Sequence, residues 1–213
     1  MAKRLTVMVS SSVYGNRGLL DRVENTLAVN YKVWMSDAGS LPTDSRRSPF
    51  EDCLEAVRAC DVFVGIITSS YGSGTDGPDT LGITHQEMLL AQSMPDKPRF
   101  MLVDGKVVLA RQLLRPYRLP AGEGPFRKVG KRYHPIEWPR KDPMKDLRVI
   151  DLYEDMILAH SKLKASQRKG TWVHEYNSDE EAIRYLDEQL GDVKKIQKRV
   201  AGTSPTGLAT EQH

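Results

Sequence analysis

Long apolar runs are missing from this 213-residue sequence, where no stretch approaches the roughly 20 residues of a membrane-spanning helix. Met1-Ala-Lys-Arg leads straight into a strand-like segment with no signal-peptide core between. The expectation is a soluble, cytoplasmic protein with no membrane partner. Cysteine is scarce: there are two, Cys53 and Cys60. Seven residues apart on one predicted helix, their backbones stand roughly 10 Å apart, beyond the reach of about 4.4 to 6.8 Å that a disulfide allows. Both read as small buried apolar groups in a reducing compartment. Excess charge of one sign is also lacking. With 31 basic and 28 acidic residues the net charge is +3, too balanced to imply a nucleic-acid partner by itself. His85, His134, His160, His174 and His213 are scattered and neither cysteine has a C-x-x-C partner, so no metal and no resident cofactor are expected. No G-x-S-x-G elbow occurs, which argues against serine-hydrolase chemistry of that type.

What is present is a strand and helix alternation. Leu5 to Val9 is a short β-rich apolar run ending in Ser10, Ser11 and Ser12, a buried strand entering a loop. Leu19, Leu20, Val23 and Leu27 recur at helical spacing, and Tyr31, Val33, Trp34 and Met35 form a second strand. Ser48-Pro49-Phe50-Glu51 combines a capping box with proline at the first helical position; Phe50, Cys53, Leu54, Val57 and Cys60 then supply an apolar face. Val62 to Ile67 is continuously apolar, the mark of a central parallel strand. A polar loop to Gly82 precedes a helix starting at Thr84, with Glu87 closing a capping box and Ile83 stapling onto Met88. Arg99 to Val103 is a fourth strand, and Val107 to Leu114 fits either the return arm of an Asp-Gly hairpin or a short helix. The rhythm predicts an α/β fold with a doubly wound, mostly parallel sheet.

The sequence divides near Lys106. Residues 1–106 form the α/β domain, and residues 107–200 an extension packing on it. Within that extension, residues 115–145 are basic, proline-rich and irregular, with Tyr117, Phe126, Tyr133 and Trp138 among the cations. Helices follow: one carries Leu147, Ile150, Tyr153 and Ile157, and another, opened by a capping box at Ser178–Glu181, carries Ile183, Leu186, Leu190 and Val193. Thr171 to Tyr176 reads as an edge strand between them, and residues 201–213 as a disordered tail.

Ligands of open parallel sheets bind beyond the carboxyl ends of the strands, which directs attention to three places. Ser10, Ser11, Ser12 and Tyr14 follow the first strand, where hydroxyls and amides either cradle a phosphate or simply cap a turn. Gly72 to Gly77 matches G-x-G-x-x-G, but Pro78-Asp79 follows where a helix must open, so a dinucleotide fingerprint is rejected. Tyr71 beside that loop offers a flat face to a base or ribose. Glu87 starts a helix at the same edge, as a capping-box residue, a site carboxylate or both. Residues 115–145 read either as a nucleic-acid surface or, with preference, as a stiffened wrap over the domain.

Four segments together carry a family resemblance: Val7-Met-Val-Ser-Ser-Ser-Val-Tyr14, Cys60-Asp61-Val-Phe-Val-Gly65, Ser70-Tyr71-Gly72, and Gly82-Ile-Thr-His-Gln-Glu87 followed by Ala91 and Lys97-Pro98. Over roughly residues 5 to 105 the chain resembles the TIR-like family catalogued as domain of unknown function 4062. It departs at Tyr14-Gly15-Asn16, where the family usually carries an acidic residue. More distantly it is similar to TIR-domain NAD hydrolases and nucleoside 2-deoxyribosyltransferases, which place a glutamate at the helix start occupied here by Glu87 and cleave an N-glycosidic bond. The resemblance implies a flavodoxin-like or TIR-like fold. It also implies a nucleotide ligand such as NAD, a catalytic Glu87, and binding residues Ser10, Ser11, Tyr14, Tyr71 and Gly72. The expected role is in defence or stress signalling, through a homo-oligomer or a signalling partner. The alternative is a non-catalytic nucleotide-sensing or assembly module.

Overall fold

Alternation within the first strand divides the molecule into two layers. In β1 (Thr6–Ser11) Val7 and Val9 pack into one apolar cluster and Met8 into another, as the two-residue period of a strand requires. The computed structural model describes residues 4–72, 74, 80–117, 126–129, 132–135, 144, 146–168 and 172–202. α1 (Arg17–Ala28) buries Leu19, Leu20, Val23 and Leu27, the four residues whose spacing predicts it. β2 (Lys32–Trp34) follows, then α2 (Pro49–Ala59), which starts at the marked cap. There the Ser48 hydroxyl accepts from Glu51 N at 3.2 Å, and Ser48 N donates to the Glu51 carboxylate at 2.7 Å.

β3 (Val62–Ile67) is buried throughout. After it come α3 (Ile83–Gln92), β4 (Arg99–Asp104) and α4 (Gly105–Leu114). The last settles the open reading of Val107 to Leu114 as a helix, because the Asp104 carboxylate accepts from Lys106 N at 2.8 Å and caps it.

The remaining elements correct several expectations. Within 115–145, read as irregular, β5 (Phe126–Val129) and β6 (Arg132–Pro135) pair as a two-stranded antiparallel ribbon. Pro135 sits at the last position of its strand, where a missing donor is tolerated. α5 (Arg148–Leu158) buries Val149, Ile150, Leu152 and Met156, a face rotated from the predicted one. β7 (Val173–Tyr176) is the edge strand expected. The single C-terminal helix predicted through Val193 is in fact two, α6 (Asp179–Leu190) and α7 (Val193–Gly202). Gly191 N closes the first on Asp187 O, and the Asp192 carboxylate accepts from Lys195 N at 3.0 Å to start the second. At Ser178 the box is displaced: Ser178 accepts from Glu181 N, but the Glu181 carboxylate takes its bond from Asn177 N. Of the tail read as disordered, Ala201 and Gly202 end α7, and 203–213 lie outside the described residues.

The sheet order is β2-β1-β3-β4-β7 and every pairing is parallel, the flavodoxin-like doubly wound arrangement. α1, α6 and α7 cover one face, and α2, α3, α4 and α5 the other. The boundary drawn near Lys106 therefore divides the sequence and not the sheet: β7 pairs with β4, and Leu186 and Leu190 of α6 share a cluster with Val64 and Leu102. Among the described residues no helix is long and apolar enough to cross a membrane.

A chain ending at Leu114 would leave the β4 edge unpaired and uncover Phe100 and Leu102. Its thermal unfolding, followed by circular dichroism, is expected to show no cooperative transition where the full chain shows one. A sharp transition in the short chain would make residues 1–106 a self-sufficient domain.

Candidate functional site

The crevice of a doubly wound sheet opens where successive helices leave on opposite faces. Here α1 leaves β1 on one face and α2 leads into β3 on the other, so the opening lies beyond the carboxyl ends of β1 and β3. Strand alternation sends Ser10 to the same face as Met8, toward α2 and α3, and register places it opposite Gly65.

Glu87 of α3 meets Ser10 there. The Ser10 hydroxyl donates to the Glu87 carboxyl, and the Cys53 thiol of α2 is its second hydrogen-bonding neighbour. Glu87 is 4 % exposed and Ser10 2 %. Burial pushes the Glu87 carboxyl up to about 7, against the smaller downward pull of the Ser10 and Cys53 hydrogen bonds. Cys53 is pushed up to about 12, by burial first and by the Glu87 charge second. Cys53 is half-buried near the Glu87 carboxyl, not fully buried as expected; Cys60 is buried, and both are free.

The capping role assigned to Glu87 is also corrected. The N-cap is Gly82, two residues before Thr84, with no side chain capping it, so Glu87 stands at the fifth helical position instead of the third and turns inward. A cap at Thr84 loses because the helical ladder already starts at Gly82, whose carbonyl accepts from Gln86 N at 3.0 Å, while the otherwise orphaned Ile83 N is taken by Gly74 O at 2.7 Å.

The β1–α1 and β3–α3 loops join beside this pair. Ser12 and Thr68 hydroxyls lie 2.6 Å apart, both buried, with Thr68 donating on to Ser70 O at 3.2 Å. Gly72, at φ +86°, carries its backbone across Ser12; a Cβ there would sit 3.5 Å from Ser12 Cβ, and the left-handed conformation is what selects glycine. Gly72 thus lies against Ser12, two residues beyond Ser10. Ser11 bonds weakly to Ser12 O at 3.4 Å, and Tyr14 is 72 % exposed; both sit on the rim, apart from Glu87.

Tyr71 has a different task from the one expected. It is buried, its ring face is taken by the Arg148 guanidinium at 4.3 Å, and its hydroxyl accepts from Gly82 N at 3.1 Å and lies 2.9 Å from His85 Nδ1. His85 Nε2 in turn lies 2.8 Å from the Asp155 carboxylate. Sequence reading discounted His85 as one of five scattered histidines, and it overlooked Asp155 and Arg148. Their partners lie 70 and 77 residues away in sequence, a separation no local motif spans. Ser12 is legible as part of the serine run, whereas Thr68 reads only as the first residue of the polar loop after β3. Among the described residues no group of three His, Cys, Asp or Glu is placed to hold a metal ion.

The family model described as Domain of unknown function (DUF4062) matches residues 6–191. The chain belongs to this family. The match runs past residue 106 and takes in β7 and α6, so the family's unit is the complete five-stranded sheet. No curated protein and no solved structure matches the chain.

Stability should report the state of Glu87. The folded protein holds this proton more tightly than the unfolded chain, whose carboxyl titrates near 4.5. The stabilisation is complete below pH 4.5 and disappears as pH rises through about 7, amounting to about 3 kcal/mol over that span. Urea unfolding at pH 4.5 and pH 8 should show wild type losing that much more than Glu87→Gln. Equal losses would mean that the carboxyl is hydrated and titrates normally.

Proposed function

We propose that this chain is a TIR-like nucleotide-recognising domain that hydrolyses the N-glycosidic bond of NAD or a related nucleotide, with Glu87 as its catalytic carboxyl. The observation that carries the reading is a dehydrated glutamate, bonded to Ser10 near the carboxyl end of β1, beside the crevice where such sheets take their ligands. When the C1′–N bond breaks, its electron pair leaves with the base and the sugar becomes oxocarbenium-like. A carboxylate in a low-dielectric corner stabilises that charge far better than one in water. Water then bonds to C1′ and gives up a proton, so that NAD and water yield ADP-ribose, nicotinamide and one proton. A carboxyl poised near pH 7 is suited to hold that proton at neutral pH.

Ser10, Ser12 and Thr68 supply hydroxyls for the ribose, and the rim residues Ser11 and Tyr14, with Gly72, meet the rest of the nucleotide. The free thiols Cys53 and Cys60 support a reducing, cytoplasmic setting, in which a defence or stress-signalling role is our reading of the family likeness.

One observation favours a second reading. Glu87 is almost wholly covered, and two neighbours already engage its carboxyl, as suits a sensing module that binds a nucleotide and assembles without turning it over. The two readings separate in one experiment. Concentrated protein is incubated with NAD, NADP, ATP and nucleosides, and products are identified by mass spectrometry beside light scattering. The hydrolase reading predicts free base from wild type and a roughly 10²- to 10³-fold loss in Glu87→Gln. Ligand-dependent growth in mass without product selects the sensing module, and equal turnover in both proteins removes Glu87 from the chemistry.

A further inference from the structure

The helix that carries Glu87 is held from its opposite side by groups that the proposed reaction does not use. At about 100° per residue, His85 and Glu87 project roughly 200° apart around α3. Glu87 faces β1 and α2, whereas His85 faces the Tyr71 loop and α5. His85 is 2 % exposed and both ring nitrogens are engaged. The Asp155 carboxylate can only accept, so it selects the tautomer of a neutral His85 that carries its proton on Nε2, and the direction of the chain follows. With the ring proton on Nε2 and pointing at Asp155, Nδ1 is the acceptor, and the Tyr71 hydroxyl donates to it while its oxygen accepts from Gly82 N. Gly82 is the N-cap of α3 and Asp155 lies on α5, with a half-exposed carboxylate. Arg148, also on α5, clamps the Tyr71 ring while its own fork grips Asp146 through bonds of 2.7 to 3.1 Å.

We infer that α5 governs the placement of Glu87 through the hydrogen-bonded chain Asp155–His85–Tyr71–Gly82, with Asp155, His85 and Tyr71 as positioning residues. The inference deepens the proposed reading by assigning the control of its site to the part of the chain beyond residue 106. Asp155 is the accessible end of the relay. A partner or ligand that draws its carboxylate away leaves Nε2 without an acceptor, frees the ring to change tautomer, and loosens the cap of the helix on which Glu87 rides. Coupling of this kind needs no contact between the partner and the site.

The test uses the full chain with Asp155→Ala and Asp155→Glu, because Asp155 is half-exposed and its replacement leaves the core intact. Residue-resolved hydrogen exchange is expected to speed up roughly 3- to 10-fold at Gly82 and in the first turn of α3 in Asp155→Ala, with β3 amides unmoved. In the same variant, ring-nitrogen NMR should show His85 losing its single tautomer, and carboxyl-carbon NMR should show the Glu87 midpoint falling as water reaches it. Asp155→Glu should restore all three. An unchanged Glu87 midpoint with unchanged Gly82 exchange overturns the inference. So does an equal acceleration in β3, which would reduce Asp155 to general stability. These readouts need no turnover: if they move while wild type releases no base, the relay stands and the hydrolase reading falls.

Discussion

A carboxyl group placed between a sheet and two helices must be neutralised or richly hydrogen-bonded, and the local structure around Glu87 answers to that demand. Dehydration works against its charge, and the two donors nearby only partly compensate. The demand explains a residue choice that an apolar core would not make: a buried serine following Val7, Met8 and Val9 in β1, with a cysteine of α2 near the carboxyl. On β3, Gly65 lies opposite Ser10 in register. A Cβ on Gly65 would fall 2.5 Å from Met101 Cε, so the glycine leaves room for Met101 to lie across the strand.

α3 is attached in an unusual way for a helix of ten residues. Its buried residues are His85, Glu87, Met88 and Ala91, so half of what it buries is ionisable. Met88 and Ala91, with Leu89 and Leu90 partly buried against the same cluster, give it an apolar anchor. Directional bonds add to that anchor and fix its position, to Ser10 on one side and to Tyr71 and Asp155 on the other. Such networks fix one arrangement more than they add stability, since each member costs desolvation before it gains a partner. They also make position sensitive to any single member, which is why a relay through His85 reaches Glu87.

The fold was largely legible because its signals are local. The spacing of Leu19, Leu20, Val23 and Leu27, the box at Ser48 and Glu51, and the apolar run of β3 each state their element without reference to the rest of the chain. Ser10 and Glu87 were found through their shared strand-edge position, and the structure brings them together. What escaped was set at long range. Glu87 satisfies every local criterion of a capping box, yet the helical ladder starts at Gly82, with Gly74 O taking the Ile83 amide, and the glutamate turns into the core. Tyr71 looks like a free aromatic until Arg148, 77 residues on, covers it. β7 could be named as an edge strand, but that it completes the sheet of the first half depends on a pairing across some 70 residues.

The burial of Glu87 poses a problem that its proposed role resolves. A carboxyl that rests protonated cannot stabilise positive charge, while one that rests ionised in this corner would destabilise the fold. A cationic group arriving at the crevice alters the balance: its charge lowers the proton affinity of Glu87, and the carboxylate forms at the moment a counter-charge is present to meet it. Proton release and cation binding are then two sides of one equilibrium. The same free energy that raises the carboxyl toward neutrality in the empty site sharpens its preference for a positively charged partner over a neutral one. The nicotinamide ribosyl group of NAD, cationic before cleavage and at the transition state, has the chemistry that such a site discriminates for, whereas a neutral nucleoside gains from it only as the bond breaks.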